Sequence, residues 1–144
     1  MKNHFFAIIL IVAVFQQLNA QNPVQKEKWH WNNTKQDTIA GYTQVLKIDN
    51  IIYISGTVAL DLSEKGIEDL YRALEVSLRS YGATFQNVVK ENLFTTDIEA
   101  MKKLNHIRKK FYKKDYPAAT WTQIDRLYME EAKVEVELIA HLPK

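Results

Sequence analysis

The chain has no cysteine at all, and only four glycines and three prolines among its 144 residues. Without cysteine there is no disulfide framework, no thiolate nucleophile and no thiolate metal ligand, so stability must come from an apolar core and from subunit contacts. The four histidines, His4, His30, His106 and His141, are scattered. They do not approach the three or four gathered ligands of a zinc site. There is no GxGxxG turn, no P-loop and no GxSxG elbow, which leaves dinucleotide, nucleotide and serine-hydrolase chemistry without a motif. Charge of one sign is also lacking, with 19 Lys and Arg against 17 Asp and Glu. That balance gives no electrostatic case for nucleic acid or an anionic membrane.

Long apolar runs are equally scarce. One extends from Phe5 to Phe15, 11 residues, whereas crossing a bilayer takes about 20. Lys2 precedes it and a polar stretch ending in Ala20 follows, the three-part form of a secretory signal peptide cleaved after Ala20. A lipid anchor is excluded, because no cysteine could carry it. The expectation is an exported protein, periplasmic or secreted, with no stable membrane anchor. Residues 21–39 read as an extended arm in which Trp29 and Trp31 share strand-like spacing and pack on the domain. Asn32-Asn33-Thr34 fits a glycosylation sequon or arises by chance. The remaining residues, 40–144, make one domain.

Order begins at residues 41–56, "GYTQVLKIDNIIYISG". Two runs rich in valine, isoleucine and tyrosine flank Asp49-Asn50, a pair suited to a tight hairpin. The period then changes. Ile67, Leu70, Leu74, Leu78 and Tyr81 recur at helical intervals, and Gly82 is the natural stop. "NVVKENLFTT" returns to strand character, and Thr96 with Glu99 has capping-box spacing for a second helix. Met101, Leu104, Ile107 and Phe111 form its buried stripe, with Lys102, Lys103, Lys109 and Lys110 on the wet side. Strands at about Ala119–Ile124 and through "AKVEVELIA" complete a β-β-α-β-α-β-β order. That order predicts an α+β fold, a mixed sheet with two helices packed on one face. Apolar residues on both alternations of the late strands predict an oligomer that covers the other face.

A polar set remains at strand edges and on one helix: Tyr42, Asn105, Thr120 and Glu135. A phenol and a carboxylate can position or transfer a proton, and an asparagine can hold a water or a carbonyl. Each also has a plain structural reading, as strand packing, a helix edge or a solvated strand face.

"AGYTQVLKIDNIIYISGTVALD", "VVKENLFTTDIEAMKKLNHIRKKFY", "PAATWTQIDRL" and "KVEVELIA" occur in that order and resemble the RidA/YjgF family over residues 40–142. The resemblance implies a chorismate-mutase-like subunit that forms a homotrimer, with small-molecule clefts between neighbours and no cofactor. It also implies catalytic roles for Tyr42 and Glu135 and a place in the ligand-binding cleft for Asn105, Ala119, Thr120 and Trp121. Gly41, Gly56 and Arg126 take structural roles. Enzymatic members hydrolyse 2-imino or enamine acids to 2-keto acids and ammonia. In them an arginine follows the Pro-Ala pair and binds the substrate carboxylate, and the late glutamate positions the attacking water.

Here the chain departs from the pattern. Pro117-Ala118 is followed by Ala119, and Trp121 stands where a small residue is usual. Alanine cannot replace a guanidinium fork, a loss of about 2–5 kcal/mol where such a pair is sequestered. Arg126 does not fill the gap, because enzymatic relatives carry an arginine there as well. The indole either stacks on a flat ligand or fills the vacated space. The expectation is an exported trimer that binds a small neutral or aromatic ligand, with imine hydrolysis as the alternative. A ribonuclease is disfavoured, since the cleft set has no histidine pair.

Overall fold

Hydrophobic periods of two and of about three and a half alternate along the chain, and the structure, a computed structural model, follows each change. It describes residues 23–31 and 39–144. The signal segment and the Asn32-Asn33-Thr34 sequon lie outside the described residues. The elements are β1 (Glu27–Trp29), β2 (Val45–Ile48), β3 (Ile51–Ala59), α1 (Glu64–Arg79), a 3-10 turn (Phe85–Asn87), β4 (Val88–Thr95), α2 (Ile98–Tyr112), β5 (Ala118–Gln123) and β6 (Val134–His141). The sheet order is β1-β2-β3-β6-β4-β5. Only β4 and β5 run parallel, and α2 supplies the crossover that a parallel pair requires. This is the α+β fold with one more strand than expected: part of the arm pairs with β2 and extends the sheet.

Asp49 takes a left-handed conformation (φ 52°) and closes the two-residue hairpin between β2 and β3. Helix α1 begins at Ser63, whose hydroxyl accepts the Gly66 amide at 3.0 Å. It ends before Gly82, which turns the chain at φ +74°, a conformation that strains any residue with a Cβ. Helix α2 corrects the expected cap by one residue. Asp97, not Thr96, accepts the Ala100 amide at 2.9 Å, while the Thr96 amide is held by the Lys133 carbonyl at 3.0 Å. A carboxylate at the positive end of a helix also gains from its dipole.

Ile67, Leu70, Leu74 and Leu78 of α1 and Met101 and Ile107 of α2 pack against Ile52, Ile54, Leu93, Val134, Val136 and Leu138 in one core. The alternate strand positions point to the opposite, helix-free face. Among the described residues, no helix is long and apolar enough to cross a membrane.

A buried charged pair interrupts this core. Glu91 on β4 is wholly buried. Its Oε1 accepts from Arg108 Nε at 2.7 Å and Trp121 Nε1 at 3.2 Å; its Oε2 accepts from Tyr71 Oη at 3.1 Å and Tyr112 Oη at 2.6 Å. Burial, and next the Glu91 charge, hold both tyrosines above the ordinary phenol range, so they stay protonated donors. Stripping one partner from a buried pair costs about 3–5 kcal/mol, while replacing both with apolar groups costs far less. Arg108→Met is therefore expected to lower stability by about that amount in urea denaturation. The double change Glu91→Leu with Arg108→Met should recover most of the loss, and additive losses would contradict the pairing.

Candidate functional site

The register between β3 and β6 shifts between Ile54 and Thr57. Such a bulge re-aims side chains, and here it falls at Gly56. A Cβ built on Gly56 would stand 1.6 Å from Glu135 Oε1. Only glycine leaves room for this carboxylate, because the strand backbone approaches it directly. Buried Gln44 braces the bulge, its Nε2 donating to the Ser55 carbonyl at 3.3 Å and to Thr57 Oγ1 at 3.4 Å. Ser55 Oγ donates to the Thr43 carbonyl at 2.7 Å. Together these bonds fix the segment that leads from Gly41 (φ 71°) through Tyr42 into β2.

Glu135 and Tyr42 line a cavity of 510 Å³, with Trp31, Gly56, Val58 and Met129 among its other walls. Among the described residues, no lysine, arginine or histidine lines it. Burial, and secondarily the charge of Glu137 on the same sheet face, raise the Glu135 carboxyl above its ordinary range. Glu137 is held in place by Asn92 Nδ2, 2.7 Å from its Oε1. The cavity thus carries one carboxyl group poised to donate or accept a proton, beside a phenol and within an apolar and aromatic wall.

The other expected site residues lie elsewhere in the chain. Asn105 is half-buried on α2, and its Oδ1 is buried with no hydrogen-bond partner among the described residues. Ala119 is exposed at the sheet edge and lies opposite Glu91 across the β4–β5 pair. Trp121 turns toward the helices and donates to Glu91. Thr120, one residue away, points to the other face and accepts from Lys90 Nζ at 2.8 Å. Arg126 pairs with Glu130 at 2.6 Å in the exposed loop before β6. A single chain therefore brings Tyr42 and Glu135 together around Gly56 and does not gather the other five with them. Sequence reasoning missed Trp31 and Met129 as cavity walls and missed Glu91, Arg108, Tyr71 and Tyr112 altogether. A signal for the last group existed: Glu91 shares the inward alternation of Leu93, and Arg108 lies seven residues after Met101 on the buried stripe. Among the described residues, no three histidine, aspartate or glutamate side chains converge on a metal position.

Two helices on one face of a six-stranded mixed sheet, with a cavity built at a strand bulge, define a chorismate-mutase-like α+β subunit. The family described as Endoribonuclease L-PSP matches residues 33–142. The chain belongs to this family, the RidA/YjgF family of the sequence resemblance. It is 34% identical over 113 residues to the RutC family protein BU371 of Buchnera aphidicola, covering 71% of this chain and 88% of the relative. It is 31% identical over 111 residues to the human 2-iminobutanoate/2-iminopropanoate deaminase, covering 71% and 80%. A crystal structure of a YjgF/YER057c/UK114 family member from Mycobacterium tuberculosis superposes with a TM-score of 0.73 at 20% identity, covering 82% of this chain and 100% of that one. Strand β1 and Trp31 precede the family match.

Two expectations follow from the carboxyl cradle. Gly56→Ala should displace the Glu135 side chain and open the bulge, visible as a shift in the Glu135 carboxyl titration by NMR toward the ordinary range. The sign of the pH effect is set by the raised carboxyl: its contribution to stability is complete below the unfolded glutamate value near 4.5 and is lost as pH rises through the folded value. Glu135→Gln should thus raise the melting temperature relative to wild type at pH 7 and show a smaller gain at pH 4. An equal effect at both pH values would remove the raised carboxyl from the account.

Proposed function

We propose that the chain is exported and works as a homotrimer whose clefts, walled by the Tyr42–Glu135 cavity, bind a small neutral or aromatic ligand. The observation that carries the reading is the lining itself: a carboxyl whose burial favours its protonated form, aromatic and apolar walls, and no cation among the described residues. A carboxylate ligand would meet like charge there without a compensating guanidinium. A neutral planar molecule can stack on Trp31 or Tyr42 and share a proton with Glu135. Trimer formation is supported by apolar side chains on the helix-free face, Tyr53, Phe94 and Ile139 among them, and by the family to which the chain belongs. Export rests on the form of residues 1–20.

A second reading, hydrolysis of 2-imino acids, is favoured by one observation. Burial raises the Glu135 carboxyl above its ordinary range, the direction that suits water activation or proton transfer, and the human relative is a named imine deaminase. Ala119 weighs against it, because an unanchored substrate loses orientation as well as affinity.

One set of measurements separates the two. Sedimentation equilibrium of residues 21–144 should give three times the chain mass. In NMR titration followed at the Met129 methyl, benzamide should bind at least about tenfold tighter than benzoate, the worth of one unfavourable charge contact. Release of keto acid from 2-iminopropanoate should stay at the uncatalysed rate. Release well above it, abolished by Glu135→Gln, would establish the hydrolase instead.

A further inference from the structure

The outer side of the two helices carries a cavity of its own. It measures 380 Å³ and lies between α1 and the end of α2, beside the 3-10 turn. Small-molecule sites occupy about 300–1,000 Å³. The floor is apolar, made by Phe85, Ile107 and Phe111. Phe111 is fixed in place, its ring centroid 5.5 Å from that of Tyr71 in a stacked pair and 5.3 Å from that of Phe85. Arg72 lies over the same ring, with Cζ 5.9 Å from the centroid. A flat apolar group entering this groove meets a surface held before it arrives, which lowers the ordering cost of binding.

The rim is charged, and its charges do not cancel. Glu68, Arg72, Glu75 and Arg79 form one stripe of α1 along the groove. They neutralise one another, Arg72 Nε donating to Glu68 Oε1 at 3.1 Å and Arg79 Nη2 to Glu75 Oε1 at 3.0 Å. Lys110 and Lys113 supply the α2 side, and neither forms an ion pair with a described residue. The groove therefore holds two uncompensated positive charges. Lysines at a helix end ordinarily answer its dipole. Here Gln86 already serves the last carbonyls of α2, its Nε2 donating to those of Phe111 and Tyr112 at 3.3 Å each. That leaves the two ammonium groups for a ligand.

We propose that this groove binds a phosphomonoester carrying a flat aromatic group. A phosphomonoester bears about 1.5–2 negative charges at neutral pH. That matches two ammonium groups, whereas a carboxylate would leave one of them unanswered. Lysine suits such an anion, because a compact charge on a flexible stem can approach phosphate oxygens from either side. The aromatic part lies against the Phe111 ring and the Arg72 guanidinium. A trimer closed through the helix-free face leaves the groove open. The groove shares no residue with the Tyr42–Glu135 cavity and stands whatever that cavity binds.

The test titrates 2-naphthyl phosphate, 2-naphthoate, 2-naphthol and inorganic phosphate into the purified protein at about pH 7.5, above the second phosphate pKa near 6. Binding is followed by NMR at the Ile107 methyl and the Gln86 side-chain amide. Naphthyl phosphate should bind about tenfold tighter than naphthol, the worth of two exposed charge contacts. It should also bind several-fold tighter than naphthoate or inorganic phosphate, moving both groove signals and leaving the Met129 methyl in place. Lys110→Gln with Lys113→Gln removes the two charges without touching the core. That pair should cut the affinity about tenfold with the melting temperature little changed. Lys103→Gln with Lys109→Gln lowers the charge of α2 equally but away from the groove, and should leave the affinity within about twofold of wild type. The proposal is overturned if naphthyl phosphate and naphthol bind equally, or if the Ile107 methyl does not move. It is equally overturned if the Lys103 and Lys109 changes cost as much affinity as those at Lys110 and Lys113.

Discussion

Glu91 places a full negative charge on an interior strand position with no solvent to share it, and much of the β5 side of the molecule is arranged around that charge. A buried carboxylate needs several donors, and here they arrive from α1, α2 and β5 at once: Tyr71, then Arg108 and Tyr112, then Trp121. Together these donors tie three elements to β4. The parallel edge strand makes few apolar contacts of its own, since Trp121 is the one residue of β5 that is not exposed. Its attachment through the indole to Glu91 therefore fixes the edge in a way that the sheet ladder alone does not. Stacking among Tyr71, Phe85, Phe111 and Tyr112 surrounds the network with ring contacts, two of them with centroids 5.5 and 5.1 Å apart, and keeps the local dielectric low.

The opposite face of the sheet solves a different problem with a carboxylate. Among the described residues no cation neutralises Glu135; it is accommodated by the missing side chain of Gly56 and by a raised affinity for its proton. The bulge in β3, the buried Gln44 and the Ser55 hydroxyl hold the backbone at that close approach. One fold thus contains two carboxylates with opposite treatments. Glu91 is saturated by donors and serves structure. Glu135 is partly desolvated, with no positive neighbour among the described residues, and retains the capacity for proton chemistry.

Family membership frames these differences. The chain shares the fold and the ordered segments of its relatives, including a named human imine deaminase, yet the position after Pro117-Ala118 is an alanine and the indole two residues later belongs to the interior. Trp121 contacts both Glu91 and Arg108, and Ala119 pairs with Glu91 across the β4–β5 ladder. A side chain as large as tryptophan is accepted at 121 because a buried acceptor waits for its N–H. Arm residues add to the divergence, since Trp31 reaches the cavity wall from outside the matched region.

The architecture was readable in the residues. Alternation in "KVEVELIA", the helical stripe from Ile67 to Leu78 and the Asp49-Asn50 turn are local patterns, and local sterics with burial on one face are enough to set them. The grouping of Tyr42 with Glu135 came from the family resemblance, because no spacing along the chain links residues 93 positions apart. Other features had no local signature. The one-residue shift of the α2 cap was decided by which side chain could reach the Ala100 amide once Lys133 had engaged Thr96. The arm became a strand because β2 offered an unpaired edge. Glu91 and Arg108 read singly as surface charge, as glutamates and arginines usually are, and only the packing of α2 over β4 turned both inward. Amino-acid order determined the elements and their apolar faces, since those depend on neighbours within a few residues. Tertiary structure alone decided which charges are buried, because burial of a charge is tolerable only where partners from distant segments meet it.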